Sequence, residues 1–296
     1  MLIDSEGELR FPLVDNKKRI LIISSKSLDA LVSISCIIKN LMNNGNPNEI
    51  VIDIKFIQPL EINTIKTKKH DEIYVINIGI NKLNQEVILD FIKNEKIMNW
   101  YDNHNEWKDI EDTRLIIDTS KSCIELTSDD PELAKLGKLI REGRLSENRE
   151  LYMFDIALKS DKSDETIRYD ILHFLLKNDA KIKKRIEKKA RKFEKLLDNN
   201  HKLLDDSKLI DDILFIDARN IKSYDKNHLL AEAYGNAPYI MIFDIDQETN
   251  KPIITISANA KTDLMELFGL SNGNPFKISI PFKENHKKYI GAIIKT

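Results

Sequence analysis

The sequence contains few of the residues that mark disulfide-rich, zinc-binding or nucleoside-triphosphate-binding proteins. Its 296 residues include two cysteines, Cys36 and Cys123, which are far apart and belong to no Cys/His cluster. Disulfide frameworks and zinc fingers are therefore not expected, and a reducing, cytoplasmic environment fits best. Only nine glycines are present, and neither GxGxxG nor GxxxxGKS/T occurs, so the common phosphate-binding loops are absent.

Long apolar runs and a dominant charge are missing as well. No run approaches the ~20 apolar residues of a membrane span, and the opening residues, MLIDSEGELRF, lack the basic and apolar regions of a signal peptide. We therefore expect no membrane partner. Charged residues make up 32% of the chain but cancel to a formal net charge of -2, which excludes a uniformly basic binder. A hydrophobic content of 42% is enough for a sizeable core.

The order of the apolar segments predicts an α/β fold. In the first half, short apolar runs typical of buried strands (19–24, 51–57, 72–80, 96–102 and 114–119) alternate with helical segments. This βαβ pattern favours a parallel sheet with a ligand site at the carboxyl ends of its strands. Helical spacing follows from about 130 to 206, and strand signals return at 213–218, 239–245, 252–258 and twice near the C terminus. We predict a parallel-sheet domain over 1–178, a connector helix over 179–207 and a smaller α/β domain over 208–296.

Two segments that follow predicted strands could bind a ligand. In SSKSLDALVS, residues 24–33, Asp29 stands among hydroxyl groups where a strand meets a helix. It could belong to a site, or it could lie near the helix N-terminus and satisfy free N–H groups. In YDNHNEW, residues 101–107, Asp102, His104 and Glu106 offer ligand atoms that suit manganese, iron or zinc. The same residue types are also typical of a turn.

Together these segments resemble the DHH phosphoesterase superfamily, which includes the RecJ nuclease, over most of the chain. The family's motifs are HxDxDGxxS after the first strand, an Asp at a later strand end, an Asp-His-His triplet, an Asp on a helix and a GGHP-like turn. The first motif aligns with Ser25, Ser27, Asp29, Ala30 and Ser33, and the later strand-end Asp aligns with Asn77. The triplet aligns with Asp102, Asn103 and His104, and the helical Asp aligns with Asp155 or, as the weaker match, with Asp161. The GGHP-like turn aligns with Ser271–Phe276, where Asn274 replaces the histidine.

The departures from these motifs concern the metal ligands. The resemblance implies a DHH-like domain, a long connector helix and a DHH-associated domain, and in active members two metal ions that generate hydroxide. This chain keeps Asp29, Asp102, His104 and Asp155 as a vestigial metal site. Two dications about 4 Å apart need more anionic ligands than these. We therefore predict no catalytic residues and no bound cofactor, with weak binding of one manganese or magnesium ion at most.

A finer resemblance concerns function. The segment SLDALVSISCIIKNL is similar to the first motif of CDC45, roughly SDVDALCACKIL, a degenerate DHH member that joins MCM and GINS in the replicative helicase. Archaea have RecJ-like counterparts that bind GINS. The resemblance implies an inactive archaeal counterpart with GINS and MCM as partners. Two alternatives stay open: an active manganese-dependent phosphoesterase that cuts single strands with the four residues of the vestigial site, and a nucleotide-binding regulator that uses the inactive cleft.

The predicted connector helix carries a concentrated positive charge. Nine basic and two acidic residues lie between Lys181 and Lys195, a local net charge of +7 on a chain of net -2. Such a helix could follow the phosphates of single-stranded DNA, or it could be a solvated helix face. The predicted nucleic-acid contacts are Lys184, Arg185, Lys188, Arg191, Lys192 and Lys195. Trp100 and Trp107, on either side of the triplet-like turn, could stack on bases or pack internally.

Overall fold

The computed structural model describes residues 2–3, 8–10, 17–46, 49–107, 110–160, 165–221, 223–245, 251–258 and 277–281. The chain divides into two compact units, Met1–Arg191 and Lys192–Thr296. The division falls within one long helix, Ala180–Asp205, which occupies the stretch predicted as the connector.

The first unit contains a seven-stranded sheet. Five of its strands are parallel, in the order β4-β3-β5-β6-β7, and β2 and β1 add an antiparallel edge beside β4. The strands are β1 (Leu2–Ile3), β2 (Glu8–Arg10), β3 (Lys18–Ser24), β4 (Ile50–Phe56), β5 (Glu72–Ile76), β6 (Ile97–Asp102) and β7 (Leu115–Ile117). The predicted parallel sheet is confirmed.

Helices cover this sheet on both faces. In chain order, the helices before the second sheet are α1 (Leu28–Asn44), α2 (Gln85–Asn94), α3 (Cys123–Thr127), α4 (Pro131–Arg141), α5 (Arg149–Ser160), α6 (Glu165–Lys177) and α7 (Ala180–Asp205). Leu21 and Ile23 of β3 share a core with Ile88 and Phe91 of α2. Because side chains alternate along a strand, Ile20 and Ile22 point to the opposite face, and both are fully buried.

Helix α1 is the most deeply buried helical segment of the site region. Its residues from Leu28 to Ile38 are all buried, and all but Asp29, Ser33 and Ser35 are apolar, as expected for a helix enclosed in a core. Ser27 caps its N-terminus by accepting a hydrogen bond from the Ala30 N–H at 3.2 Å. The helix ends before Gly45, where the backbone becomes extended.

The second unit is a five-stranded sheet with one described helix of its own beside the end of α7. Its strand order is β12-β11-β10-β9-β8, and only β9 and β10 run parallel. The elements are β8 (Lys208–Ile210), β9 (Ile213–Asp217), α8 (Lys226–Ala233), β10 (Tyr239–Ile245), β11 (Pro252–Ala258) and β12 (Lys277–Pro281). Leu229 of α8 and Leu203 of α7 pack on Ile240 and Ile242 of β10.

A buried charged cluster lies on β4, outside the aligned motifs. Asp53 is 4% exposed and contacts the His70 Nε2 at 2.6 Å and the Arg19 Nη2 at 3.0 Å. Burial opposes ionisation of Asp53, but the hydrogen bonds from His70 and Arg19 outweigh it and lower its pKa below 3.8. The cluster ties β3, β4 and the loop before β5 together.

The structure corrects some predicted boundaries. The strand predicted over 72–80 ends at Ile76, because Asn77 takes a left-handed conformation with φ 54° that interrupts extended pairing. The strand predicted over 114–119 is reduced to Leu115–Ile117. The predicted final strand, YIGAIIK, and the turn Ser271–Phe276 with Asn274 lie outside the described residues, as does Asp161. None of the helices in the described ranges has both the length and the apolar character needed to cross a membrane.

Candidate functional site

The aligned motif residues meet where the sheet reverses its strand order. The chain leaves β3 and returns to β4 on one side, then continues to β5, β6 and β7 on the other. Loops after β3 and β5 therefore diverge and leave a crevice at their carboxyl ends, the usual ligand position in such sheets. The Ser25 N–H donates to the Ile76 carbonyl at 3.2 Å and holds the two loops side by side.

Neutral side chains occupy the positions where the family has metal ligands. The Asn77 amide donates to the Ser27 hydroxyl at 2.8 Å, and Ser27 also accepts from the Ala30 N–H. Both lone pairs of Ser27 are then used, so its proton points to the Ser25 hydroxyl, 3.1 Å away. Ser25, Ser27 and Asn77 thus form a closed hydrogen-bond network that links both loops to the start of α1.

Asp29 bonds to the N-terminus of α3. Its two carboxylate oxygens accept from the Cys123 N–H at 2.9 Å and from the Ile124 N–H at 3.1 Å. The side chain is 7% exposed. Burial raises the pKa of Asp29 above 3.8, although the two backbone hydrogen bonds oppose this. The interpretation of Asp29 as a residue that satisfies helix N–H groups is therefore correct in kind, but the groups belong to a helix 94 residues further along the chain.

Asp102 is enclosed behind the triplet-like turn. It is fully buried, and its oxygens accept from the Trp107 indole N–H at 2.7 Å and contact the His104 Nδ1 at 2.8 Å. The hydrogen bond to Asp102 raises the pKa of His104 above 6.5, against the effect of burial. The imidazole lies on Gly79, where a Cβ would come within 2.8 Å of the ring. Glycine at this position is what lets His104 adopt its place.

Asp155 joins the site from α5. Its carboxylate forms an ion pair with the Lys159 Nζ at 2.7 Å, one helical turn away. Asp155, Asp29 and His104 line a common cleft of about 740 Å³, and Asp102 stands behind His104. The four predicted vestigial residues are therefore assembled at one place. The other residues around this cleft are Ser25, Lys26, Ser27, Leu28, Gln58, Asn77, Asn103, Ile140, Arg141, Leu145, Leu158, Lys159 and Arg168.

Four cations at this cleft were not predicted from the sequence. Lys26 follows β3, Arg141 ends α4, Lys159 lies on α5, and Arg168 lies on α6. Arg168 is only 2% exposed, and its guanidinium carbon is 6.0 Å from the centre of the Phe56 ring. Of the four, only Lys159 had a local sequence signal, because it follows Asp155 by four residues on a predicted helix and could form an ion pair with it.

The donor set does not fit a pair of metal ions. Asp29 and Asp102 use their oxygens in buried hydrogen bonds, and Asp155 is neutralised by Lys159. Among the described residues, no group of three or more His, Cys, Asp or Glu side chains could hold a metal ion. The cleft presents cations and neutral hydrogen-bonding groups where two dications would need carboxylates.

The predicted DNA-contacting residues share one exposed face of α7. All six, from Lys184 to Lys195, are exposed, whereas Ile186 and Ala190 on the other face are buried. Two of the six already have acidic partners: Arg185 bonds to Asp170 through both ends of its guanidinium, and Arg191 lies 3.4 Å from Glu187. The other four form no ion pair with the described residues: Lys184, Lys188, Lys192 and Lys195.

The two tryptophans are packing residues. Trp100 is fully buried and Trp107 is 4% exposed. Their rings meet edge to face at 5.3 Å, and the Trp100 indole donates to the Ile78 carbonyl at 3.0 Å. Base stacking by either ring is excluded because neither offers a free face.

Comparisons with known proteins agree on the fold. A scan against family sequence models gives no match, and neither does a search of curated protein sequences. Among solved structures, the exonuclease RecJ bound to manganese matches with a TM-score of 0.51 and 12% identity, covering 93% of this chain and 88% of RecJ. CDC45 from Entamoeba histolytica matches with a TM-score of 0.50 and 11% identity, covering 94% and 95% of the two chains. The chain therefore shares the two-unit α/β fold of RecJ and CDC45, as predicted.

Proposed function

We propose that the chain is a catalytically inactive, RecJ-like subunit of an archaeal replicative helicase complex, with GINS as its direct partner and the MCM ring as its assembly partner. In this role the DHH fold serves as a scaffold and α7 guides single-stranded DNA. The observation that carries the proposal is the position of Asp29, whose two oxygens hold the N-terminus of α3. A residue that aligns with a metal ligand of the DHH enzymes has a structural task here.

Electrostatics supports the loss of two-metal chemistry. Two unit charges 4 Å apart interact with roughly 4 kcal/mol at an effective dielectric of 20, and two dications repel four times as strongly. Active sites offset this repulsion with several carboxylates. Among the described residues that line this cleft, Asp155 is the one carboxylate with an oxygen not bonded to backbone N–H groups, and Lys159 competes for it.

The resemblance to CDC45 supports the scaffold role. The segment SLDALVSISCIIKNL forms the buried helix α1 with its serine cap, and the fold extends over nearly the full length of CDC45. CDC45 is the degenerate DHH member that the sequence resembles in this motif. Loss of metal ligands with retention of the whole fold is what we expect of a protein kept for its docking surfaces.

Helix α7 supports a role in contacting DNA. Four of its exposed cations are spaced three or four residues apart over about three helical turns, so they form a row of positive charge on one face: Lys184, Lys188, Lys192 and Lys195. Contacts of this kind bind phosphates without reading sequence. Removing each phosphate contact lowers the salt dependence of single-strand binding by about 0.7 in the logarithmic slope.

The first test is a nuclease assay on end-labelled single-stranded DNA with manganese, using Asp155→Ala as the matched control. Asp155 is suitable because its only described partner is Lys159, so its removal leaves the α3 and Trp107 contacts intact. We expect no cleavage above the Asp155→Ala background. Cleavage that disappears in the variant would instead favour the alternative, a manganese-dependent phosphoesterase with an unusual single-ion site.

The second test addresses the partner. The chain is co-expressed with the archaeal GINS complex and purified at moderate salt. We expect a stable complex that then recruits MCM. If GINS passes through the column while the DHH-fold chain is retained, the helicase-subunit role fails even if the nuclease assay is negative.

The third test addresses DNA. The row variant replaces Lys184, Lys188, Lys192 and Lys195 by alanine. The matched control replaces four exposed lysines outside α7: Lys39, Lys66, Lys82 and Lys93. Single-strand affinity is measured across a salt series. We expect the logarithmic salt slope to fall by about 2 to 3 in the row variant and little in the control. Equal slopes in the two variants would show that net charge matters and the α7 row does not.

A further inference from the structure

Strand β8 lies at one edge of the second sheet. Its residues, Lys208–Ile210, pair with β9 on one side, and no described strand pairs with them on the other. All three residues are exposed. Because the backbone hydrogen-bonding groups of a strand point alternately to its two sides, an edge strand keeps N–H and C=O groups that no neighbouring strand uses. Such groups can pair with an extended segment of another chain.

This free edge is also apolar. Leu209 is 57% exposed and Ile210 is 52% exposed, and the two side chains point to opposite faces of the sheet because successive residues of a strand alternate. The other exposed large hydrophobic residues of the described ranges lie in the first unit, far apart in the sequence: Leu60, Leu83 and Met98. The edge at β8 therefore offers a concentrated apolar surface as well as backbone groups.

The two cores of the second sheet both continue to this edge. Leu209 pairs with Leu214, which belongs to the core beneath α8. Ile210 pairs with Ile213, which belongs to the core on the opposite face, together with Met241. A strand added beside β8 would place its own alternating side chains against Leu209 on one face and Ile210 on the other. One extended segment would thus enlarge both cores.

Carboxylates flank the edge at both ends. Asp205 and Asp206 precede β8, and Asp211 and Asp212 form the turn to β9. All four are exposed, and none forms an ion pair with a described residue. With Lys208 as the single basic residue, the stretch 205–212 has a net charge of -3. A chain that pairs with β8 therefore gains from positive charge on both sides of its paired residues.

The same carboxylates oppose pairing with a second copy of this chain. Antiparallel pairing of two β8 strands about Leu209 would bring Asp206 of one copy near Asp212 of the other. Parallel pairing would bring each aspartate near its own equivalent. Like charges opposite each other on neighbouring strands are destabilising. Charges beside an edge strand are a common protection against self-association, and here they leave the edge open to a chain of opposite charge.

We propose that β8 is a docking site for a partner protein, which adds an extended apolar segment flanked by lysine or arginine residues to the second sheet. The backbone of the segment pairs with β8, its apolar side chains cover Leu209 and Ile210, and its basic side chains meet the two aspartate pairs. A nucleic acid does not fit this edge, because the four carboxylates repel phosphates. The inference concerns the second unit and does not depend on the proposed function.

The test measures binding of three labelled peptides to the full chain by fluorescence anisotropy. The probe KKTVIVTKK has a β-forming apolar centre between basic ends. Its twin EETVIVTEE reverses the charge, and its twin KKTPIPTKK keeps the charge but carries prolines, which lack the N–H groups needed for strand pairing. We expect the probe to bind and both twins to bind at least about 10-fold more weakly. Equal binding of the probe and either twin would overturn the proposal, as would no binding of the probe.

Two double variants locate the binding site. Leu209→Ser/Ile210→Ser removes the apolar surface of the edge and should weaken binding of the probe by at least about 10-fold. Both side chains are exposed, so this variant is expected to fold, which circular dichroism checks. The matched control is Leu60→Ser/Leu83→Ser, which removes two exposed leucines from the first unit. The control should bind the probe like the unchanged protein, and an equal loss in both variants would refute docking at β8.

A charge variant tests the role of the aspartates. It replaces all four by asparagine, which also tolerates the left-handed conformation of Asp211, with φ 50°. This variant should lose most of its preference for the basic probe over the acidic twin. The matched control neutralises four exposed acids of the first unit, and its preference should not change: Glu86→Gln, Asp90→Asn, Asp129→Asn and Glu132→Gln.

Light scattering of the full chain examines the remaining occupant, a second copy. We expect no dimer that depends on β8. A dimer that dissociates in Leu209→Ser/Ile210→Ser but persists in Leu60→Ser/Leu83→Ser would overturn the proposal, because the edge would then be covered by self-association and not by a partner segment.

Discussion

Replacement of Asp29 by alanine separates a structural role from a metal-binding role. The substitution leaves the Cys123 and Ile124 N–H groups without their acceptors in a buried environment. Each unsatisfied buried donor costs roughly 1 to 3 kcal/mol. Part of this is returned, because the ionised carboxylate is itself disfavoured by burial, which raises its pKa. We expect the free energy of unfolding of the first unit to fall by about 3 kcal/mol.

The assay is urea unfolding in EDTA at neutral pH, followed by tryptophan fluorescence. The protein has two tryptophans, Trp100 and Trp107, and both are buried in the first unit, so the signal reports that unit alone. With a urea dependence of about 2 kcal/mol per molar, the transition midpoint should fall by roughly 1.5 M. Asp29→Asn should lie between, since its amide oxygen can accept one bond while its NH₂ group faces the other N–H.

The matched control is Asp155→Ala, a carboxylate of the same cleft whose ion pair with Lys159 is partly exposed. It should change stability by at most about 0.5 kcal/mol. The reasoning fails if Asp29→Ala unfolds at the same urea concentration as the unchanged protein. It also fails if Asp29→Ala becomes more stable, as expected when a functional carboxylate is removed from an empty metal site.

Three further predictions concern other contacts. By NMR, the pKa of His104 should lie above 6.5, and Asp102→Asn should return this pKa toward that value. The stability that the His104–Asp102 pair contributes is complete below pH 6.5 and is lost as pH rises through the folded-state pKa of His104. The pKa of Asp53 is lowered, so its contribution to stability is present above pH 3.8 and is lost as pH falls through the folded-state pKa. In Asp53→Asn, the free energy of unfolding should therefore depend less on pH in this acidic range. Gly137→Ala places a Cβ 2.1 Å from the Ser122 Oγ and should lower the free energy of unfolding, measured by tryptophan fluorescence, by about 2 kcal/mol. An unchanged unfolding midpoint would show that α3 and α4 separate easily.

The regular part of the fold could be predicted because its signals are local. The apolar runs that became β3 and β5 are central strands of the sheet, so they read as continuous hydrophobic segments. Edge strands β1 and β2 are two and three residues long and carry no such signal. Helix α3 has five residues and was not predicted, although Ser122 and Glu125 form a capping box at its start, which is a local signal that the sequence offers.

Asp29 shows why the site was only partly predictable. A carboxylate in a first helical turn is expected to act on its own helix, and the sequence offers Ser27 and Asp29 for the same task. In the structure Ser27 caps α1, which leaves Asp29 available for α3. Which of two adjacent groups serves the local helix depends on packing, and no sequence pattern encodes it. The cations Arg141 and Arg168 were missed for the same reason, since their convergence depends on how α4 and α6 pack.

The features of the cleft that disfavour a two-ion site are distributed over many contacts and do not depend on one residue. The substitution Asn77→Asp would place a carboxylate beside the Ser27 hydroxyl. Ser27 could then donate its proton to the new carboxylate instead of to Ser25, so the hydrogen bond between residues 27 and 77 would survive. An ion would still find Asp29 bonded to two N–H groups and Asp155 paired with Lys159. Each of these contacts stabilises the fold without metal, and each opposes the return of an ion. The Asn77→Asp variant should therefore bind manganese no better than the unchanged protein unless the contact of Asp29 with α3 and the Asp155–Lys159 ion pair are removed together. Removal of the Asp29–α3 contact carries the stability cost estimated above for Asp29→Ala.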